Sequence, residues 1–144
     1  MIGRRHKDLQ DAVQECAQAW GLFAAVHPQP RKIQMHSQKF NACIEACNAC
    51  AAACNHCAAS CLQESDVKMM AHCIALDMDC AQVCALAAAA MSRGSQHSKA
   101  ICTLCADICQ SCGDACAKHP MAHCQQCAKA CLKCAEECRK MAAQ

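Results

Sequence analysis

The residues in this sequence best equipped to do chemistry are its cysteines, and they come in phase. Twenty occur in 144 residues, and nineteen of them fall at 43, 47, 50, 54, 57 and 61, at 73, 80 and 84, at 102, 105, 109, 112 and 116, and at 124, 127, 131, 134 and 138. Steps of three and four alternate within the groups, which is the a/d rhythm of a heptad written in Cys rather than Leu. On a helix, side chains three or four apart stand on neighbouring turns of one face, about 5 to 6 Å apart at Cβ, within chelating reach of one soft ion. The i,i+4 pairs are Cys43/Cys47, Cys50/Cys54, Cys57/Cys61, Cys80/Cys84, Cys105/Cys109, Cys112/Cys116, Cys127/Cys131 and Cys134/Cys138. The i,i+3 steps join many of these into continuous ladders that also take in Cys102 and Cys124, while Cys73 stands a heptad before Cys80.

Three uses of such stripes compete. Disulfide frameworks staple loop-rich domains, whereas i,i+4 cysteines on a regular helix have nearly parallel Cβ vectors and pair badly. Simple packing suits a single cysteine, since free Cys is among the most buried residue types. It explains nineteen in phase poorly, because Ala, Val or Leu would fill the space without the risk of oxidation. Metal binding uses both the residue type and the spacing. Zinc prefers closed tetrahedral sites, and four thiolates around each ion would crowd uncompensated negative charge into a low-dielectric interior. Iron–sulfur clusters want localised groups of four, and the usual C-x2-C-x2-C run is absent. Cu(I) is content with two or three thiolates, and bridging sulfurs allow about one ion per thiolate, a nearly neutral filling. Multiple Cu(I) ions per chain, about 19 to 20, are therefore expected. A zinc or general soft-metal buffer of metallothionein type is the runner-up.

Positioning these stripes takes four helices, expected at about 36 to 64, 66 to 92, 96 to 117 and 121 to 141. Ser65-Asp66 caps the second, Arg93-Gly94-Ser95 stops it and starts the third, and His119-Pro120 marks the break before the fourth. Connections this short make neighbours antiparallel. The expected fold is all-α: an antiparallel up-down-up-down four-helix bundle with a Cys-lined lumen, preceded by an extra N-terminal amphipathic helix. Residues 1-34 form the N-terminal extension with its Pro-containing linker, and 35-144 the metal-storage bundle. In the extension, Leu9, Val13, Cys16, Ala17, Trp20 and Ala24 recur at helical spacing over roughly 8 to 26. A poorly ordered leader or a cleaved signal are the other uses of that segment, although Asp8, Asp11 and Glu15 interrupt any apolar signal core.

Composition narrows the function from the other side. Of 79 apolar residues 31 are Ala and 20 are Cys, with two Phe, one Trp and no Tyr, so a conventional Leu/Ile/Phe core is not available. A formal charge of +2 and the absence of a basic stripe argue against nucleic acid, including a copper-responsive DNA regulator. No stretch reads as the roughly 18 apolar residues of a spanning helix, so no membrane partner and a soluble protein are expected. An enzyme of thiol redox or copper-dependent oxidation lacks an isolated reactive Cys with a resolving partner in a pocket, and the expectation is no enzyme.

The CxxxCxxCxxxCxxCxxxC run of 43 to 61, the segment Leu76-Asp77-Met78-Asp79-Cys80 and the turn Lys118-His119-Pro120-Met121-Ala122-His123-Cys124 resemble the cytosolic copper storage proteins, a four-helix-bundle copper-binding family. The resemblance covers about 35 to 142. It implies Cu(I) storage by thiolates inside the bundle, a homo-oligomer, specifically a homotetramer, and a cytoplasmic location; detoxification and a copper chaperone as donor or acceptor are expected besides. Cys16 and the upstream helix have no role by this analogy.

Extending each heptad past its last cysteine separates the two ends of the bundle. One end offers Glu64, Asp66, Met70, His119 and His123; the other offers His36, Phe40, Ala87, Met91, Ser98 and Met141, mainly an apolar plug. Copper is expected to enter at the first, handed from His119 and His123 to Cys61, Cys73, Cys116 and Cys124. His6, His27, His56, His72 and His97 read as surface residues, and Met69, Met78 and Met121 as surface or packing residues. Asp77 takes the heptad position between Cys73 and Cys80. A carboxylate there is costly unless paired: either it accepts a hydrogen bond from His119 or His123 and orients that ligand, or the helix turns it to a wet edge.

Overall fold

In a computed structural model of the chain, residues 31–144 and Gln14 are described, with side chains from Phe40 onward and at Gln14. The N-terminal helix expected over 8 to 26, Cys16 and the side chain of His36 lie outside the described residues. Residues Met35–Gln144 form one compact unit.

The described residues contain four helices and no strand: α1 Arg31–Cys61, α2 Val67–Ser92, α3 Ser98–Cys116 and α4 Ala122–Ala142. Each is built from Ala, Cys, Gln, Lys and Glu with almost no interior breaker, so backbone propensity and apolar stripe agree. The bounds match expectation to within a few residues except at the start of α1, which begins at Arg31 rather than at 36. The chain leaves α1 through a tightening turn in which Gln63 N–H bonds the Ser60 carbonyl and Glu64 N–H that of Cys61. Asp66 then caps α2, its carboxylate accepting from Met69 N–H at 3.3 Å. Gly94 ends that helix at φ +64°, with Ser95 N–H reaching the Ala90 carbonyl and Gly94 N–H that of Met91, the paired bonds of a Schellman stop. The left-handed φ explains the glycine. Across the last break, the Gln125 amide donates to the carbonyls of Ala117 at 3.2 Å and His119 at 2.7 Å, tying the turn to the first turns of α4.

Sulfur contacts give the directions. Cys43, Cys50 and Cys57 on α1 meet Cys138, Cys131 and Cys124 on α4, so these two helices run oppositely. On α2, Cys73, Cys80 and Cys84 meet Cys116, Cys109 and Cys105 on α3 in the same inverted order. This is the up-down-up-down bundle expected. All nineteen described cysteines are free and buried. The other buried residues are mostly Ala, with Val83, Met70, Met91 and Met141, whereas Leu62, Met69, Met78, Leu86, Leu104 and Leu132 are exposed. Side chains that usually fill a core are thus on the outside, and the centre is sulfur. Gly113 lets α3 approach α4 closely, since a Cβ there would stand 3.1 Å from Leu132 Cγ.

One expectation needs correcting. α2 does have the length and apolarity of a membrane span, because Ala and Cys raise its mean hydropathy. Half of its apolar stretch is nevertheless buried inside the bundle, and Asp77, on the same helix, is wholly buried.

Candidate metal centre

The cysteines form one continuous column. At one end Cys43 and Cys47 each lie 3.6 Å from Cys138, and the buried Cys102 thiol is influenced by those of Cys138 and Cys43. Next, Cys47 and Cys134 are 3.6 Å apart, and Cys84 stands 3.6, 3.4 and 3.8 Å from Cys105, Cys109 and Cys134. In the middle Cys50 is 3.7 Å from Cys80 and 3.6 Å from Cys131, and Cys54 is 3.5 Å from Cys131 and 3.6 Å from Cys127. Toward the other end Cys73 and Cys116 approach to 3.2 Å, and Cys124 lies 3.8 Å from Cys57 and 3.9 Å from Cys61. All of these separations exceed the roughly 2.05 Å of a disulfide.

Several groups of four have all their ligand atoms within 4.8 Å of one another, among them Cys47/Cys105/Cys134/Cys138, Cys50/Cys80/Cys84/Cys109 and Cys54/Cys112/Cys127/Cys131. Cys50 also belongs to a second group with Cys54, Cys80 and Cys131. Such sharing suits an ion that accepts bridging sulfurs, and fits separate closed tetrahedra badly. Burial raises the affinity of the outer thiols for their protons, to about 12 at Cys73 and about 11 at Cys124. Both are therefore protonated near neutrality, so metal uptake has to displace protons.

Asp77 lies in this column, neither beside a histidine nor at a wet edge, which corrects both alternatives drawn from the sequence. It is wholly buried. Its Oδ1 accepts from the thiols of Cys112 at 3.1 Å, Cys116 at 3.3 Å and Cys127 at 3.3 Å, and its Oδ2 from Cys73 at 3.8 Å. The reason is depth. Asp77 sits one turn inside Cys73, while His123 sits at the very start of α4. Burial pushes the carboxyl up to about 6, with the thiols of Cys57 and Cys112 pulling against that rise. Four thiol donors on three helices account for a carboxylate where the pattern asks for a cysteine.

The two predicted histidines part company. His123 Nδ1 lies 3.6 Å from Cys57 Sγ, 3.8 Å from Cys61 Sγ and 3.4 Å from Cys124 Sγ, completing a Cys57/Cys61/His123/Cys124 group. On its far side Nε2 is 2.9 Å from Glu64 Oε1. His119 is partly buried, but its ring makes no hydrogen bond or ion pair among the described residues; its N–H bonds the Cys116 carbonyl. The link from Glu64 to His123 was missed in the sequence, because it depends on how the turn after α1 folds. His56, His72, His97, Met69 and Met78 are exposed as expected, and Met121 is partly buried.

At the opposite end Ala87, Met91, Ser98 and Met141 are all buried, and Phe40 packs against them in part. The Ser98 hydroxyl is satisfied, donating to the Ser95 carbonyl at 2.7 Å. Beyond this layer lies an open depression of about 250 Å³ floored by Phe40 and Met141 and rimmed by Gly94, Gln96, Lys99 and Gln144.

Comparison with known proteins adds three relatives. Residues 36–143 match a family model described as copper storage protein. An uncharacterised cysteine-rich protein, YhjQ, of Bacillus subtilis is 57% identical over 82 residues, 57% of this chain and 76% of that protein. The Cu(I)-bound copper storage protein BsCsp3, from Bacillus subtilis, is 55% identical at a TM-score of 0.69, with 74% of this chain and 98% of that one covered. A cytosolic copper storage protein from Streptomyces lividans, solved with five coppers, is 39% identical at a TM-score of 0.73, covering 77% and 98%.

Proposed function

The chain belongs to the copper storage protein family, and on that premise we propose that it stores and detoxifies Cu(I) at high capacity, with no turnover. The observation that carries this is the column of nineteen buried free thiols, many of them in overlapping groups of four whose sulfurs lie within 4.8 Å of one another. Cys43, Cys47, Cys50, Cys54, Cys57, Cys61, Cys73, Cys80, Cys84, Cys102, Cys105, Cys109, Cys112, Cys116, Cys124, Cys127, Cys131, Cys134 and Cys138 supply the sulfurs, His123 supplies a nitrogen, and Asp77 an oxygen, at the outer third. His119 serves the approach from outside. The bundle of 35-144 is the storage domain, and 1-34 stands apart from the chemistry.

Loading exchanges thiol protons for Cu(I). Each bridging thiolate neutralises about one ion, so the filled lumen carries little net charge despite its low dielectric. Entry at the end holding Glu64, His119 and His123 follows from polarity, since the other end presents buried Ala and Met. The homotetramer, the cytoplasmic location and exchange with a copper chaperone are part of the same proposal; for the location, the support is a relative described as cytosolic.

Anaerobic titration of the reduced protein with Cu(I) against a chromophoric chelator tests the function. About 19 ions per chain are expected, one per described thiol, with Cu(I) preferred over zinc. Saturation at about 5 zinc ions per chain in preference to Cu(I), the count for closed four-thiolate sites, would overturn it.

A further inference from the structure

We infer that Glu64 is the positioning residue of the copper entrance, fixing the tautomer and the direction of His123 so that its Nδ1 lone pair faces the sulfurs of Cys57, Cys61 and Cys124. This rests on the Cu(I) function proposed above.

A neutral imidazole has one N–H donor and one bare acceptor nitrogen, and an ionised carboxylate only accepts. Glu64 Oε1 lies 2.9 Å from His123 Nε2, so that nitrogen holds the hydrogen. Nδ1 is then the bare nitrogen, and it points at the three sulfurs, 3.4 to 3.8 Å away. Without Glu64, the ring is as free to place its hydrogen on Nδ1, which would aim a donor at the sulfurs and leave no nitrogen lone pair facing them. Carboxylates behind a ligating histidine hold ring and tautomer in this way in many metal sites.

Glu64 is fixed one turn past Cys61 by its own N–H to the Cys61 carbonyl at 3.3 Å. His123 is the second residue of α4, whose start is tied down by the Gln125 amide. The pair bridges the α1–α2 turn and α4, so the site is built from two separate connections. The His123 side chain is 13% exposed and that of Glu64 is 37% exposed, so the carboxylate is the wetter partner and the imidazole the inner one.

The experiment uses reduced, metal-free full-length protein with 15N-labelled histidine. Long-range proton–nitrogen correlation should show His123 as the Nε2–H tautomer in the wild type and as a mixture in Glu64→Ala. Stopped-flow delivery of the first Cu(I) equivalent from a chromophoric chelator should be about 10-fold slower in Glu64→Ala, the scale of losing such a partner. Glu64→Gln, whose carbonyl still accepts from Nε2, should keep the tautomer and most of the rate. In a His123→Ala background, Glu64→Ala should add nothing. An Nδ1–H tautomer in the wild type, equal rates for Glu64→Ala and wild type, or a Glu64→Gln variant as slow as Glu64→Ala would each overturn the positioning role, the last by pointing to charge alone. The tautomer is read without metal, and the wild type's total Cu(I) count tests storage, so failure of one is distinguishable from failure of the other.

Discussion

The two ends of the bundle are made of the same four helices and yet are finished in opposite ways. At one, two turns bring Glu64, His119 and His123 over the last cysteines, and a nitrogen faces three sulfurs. At the other, Ala87, Met91 and Met141 are buried, and a glycine-stopped turn ends α2. Partly exposed polar groups stand at the first, and a buried layer of Ala and Met fills the second. A column of identical ligands has no direction of its own, and its caps supply one.

The largest way to break this contrast is to open the closed end. Met91 is 1% exposed, and Met91→Ala should lower the stability of the reduced apo-protein by about 2 to 5 kcal/mol through the cavity it leaves, read by chemical denaturation. If Met91 is what seals that end, the same variant should restore part of the Cu(I) uptake lost when both histidines are removed. A well-folded Met91→Ala protein with no second route would show that the seal lies deeper, at Ala87 and Met141.

A smaller effect sharpens the contrast from inside, at Asp77. Its carboxyl is raised from 3.8 to about 6 by burial, so the folded protein holds this proton more tightly than the unfolded chain. The contribution to stability is greatest below about 3.8, falls as pH rises to about 6, and is lost above that. Asp77→Asn should therefore stabilise the apo-protein at pH 7 by about 1 to 3 kcal/mol, a shift of roughly two units reduced for local solvent entry, and flatten its denaturation profile between pH 4 and 7. An unchanged profile would mean that the four thiol donors fully compensate the ionised form.

The smallest effect is kinetic and belongs to the open end. Replacing His119 and His123 together by Ala should slow Cu(I) uptake about 10-fold, roughly 1.4 kcal/mol of barrier, and slow it far more than it lowers the final count. Uptake at the wild-type rate would move the entrance elsewhere.

The helices, their order and the inward set of nineteen cysteines were legible because one signal, the three-four alternation, encodes both secondary structure and burial. Caps at Asp66 and Gly94 were legible for a local reason, since each acts on backbone within a few residues of itself. The partners of Asp77 were not. Phase says that Asp77 faces inward, but which side chains it meets depends on the relative depth of α3 and α4, and no spacing within α2 reports that. Glu64 shows the same limit. Its place on the open end followed from extending the heptad past Cys61, whereas its pairing with His123 comes from the fold of a turn and the start of a different helix. The early start of α1, at Arg31, carries no mark in the three-four alternation, whose first cysteine is Cys43.

The uniform column has a further consequence, one of scaling. A heptad contributes two inward positions per helix and about 10 Å of length, so volume for cargo grows in step with the contour of the chain while the cross-section stays fixed. Enlarging a globular cavity means reshaping all its walls, but a tube of repeating rungs lengthens by adding rungs. Capacity in this architecture is accordingly a modular quantity, set by how many heptads separate two unchanged ends.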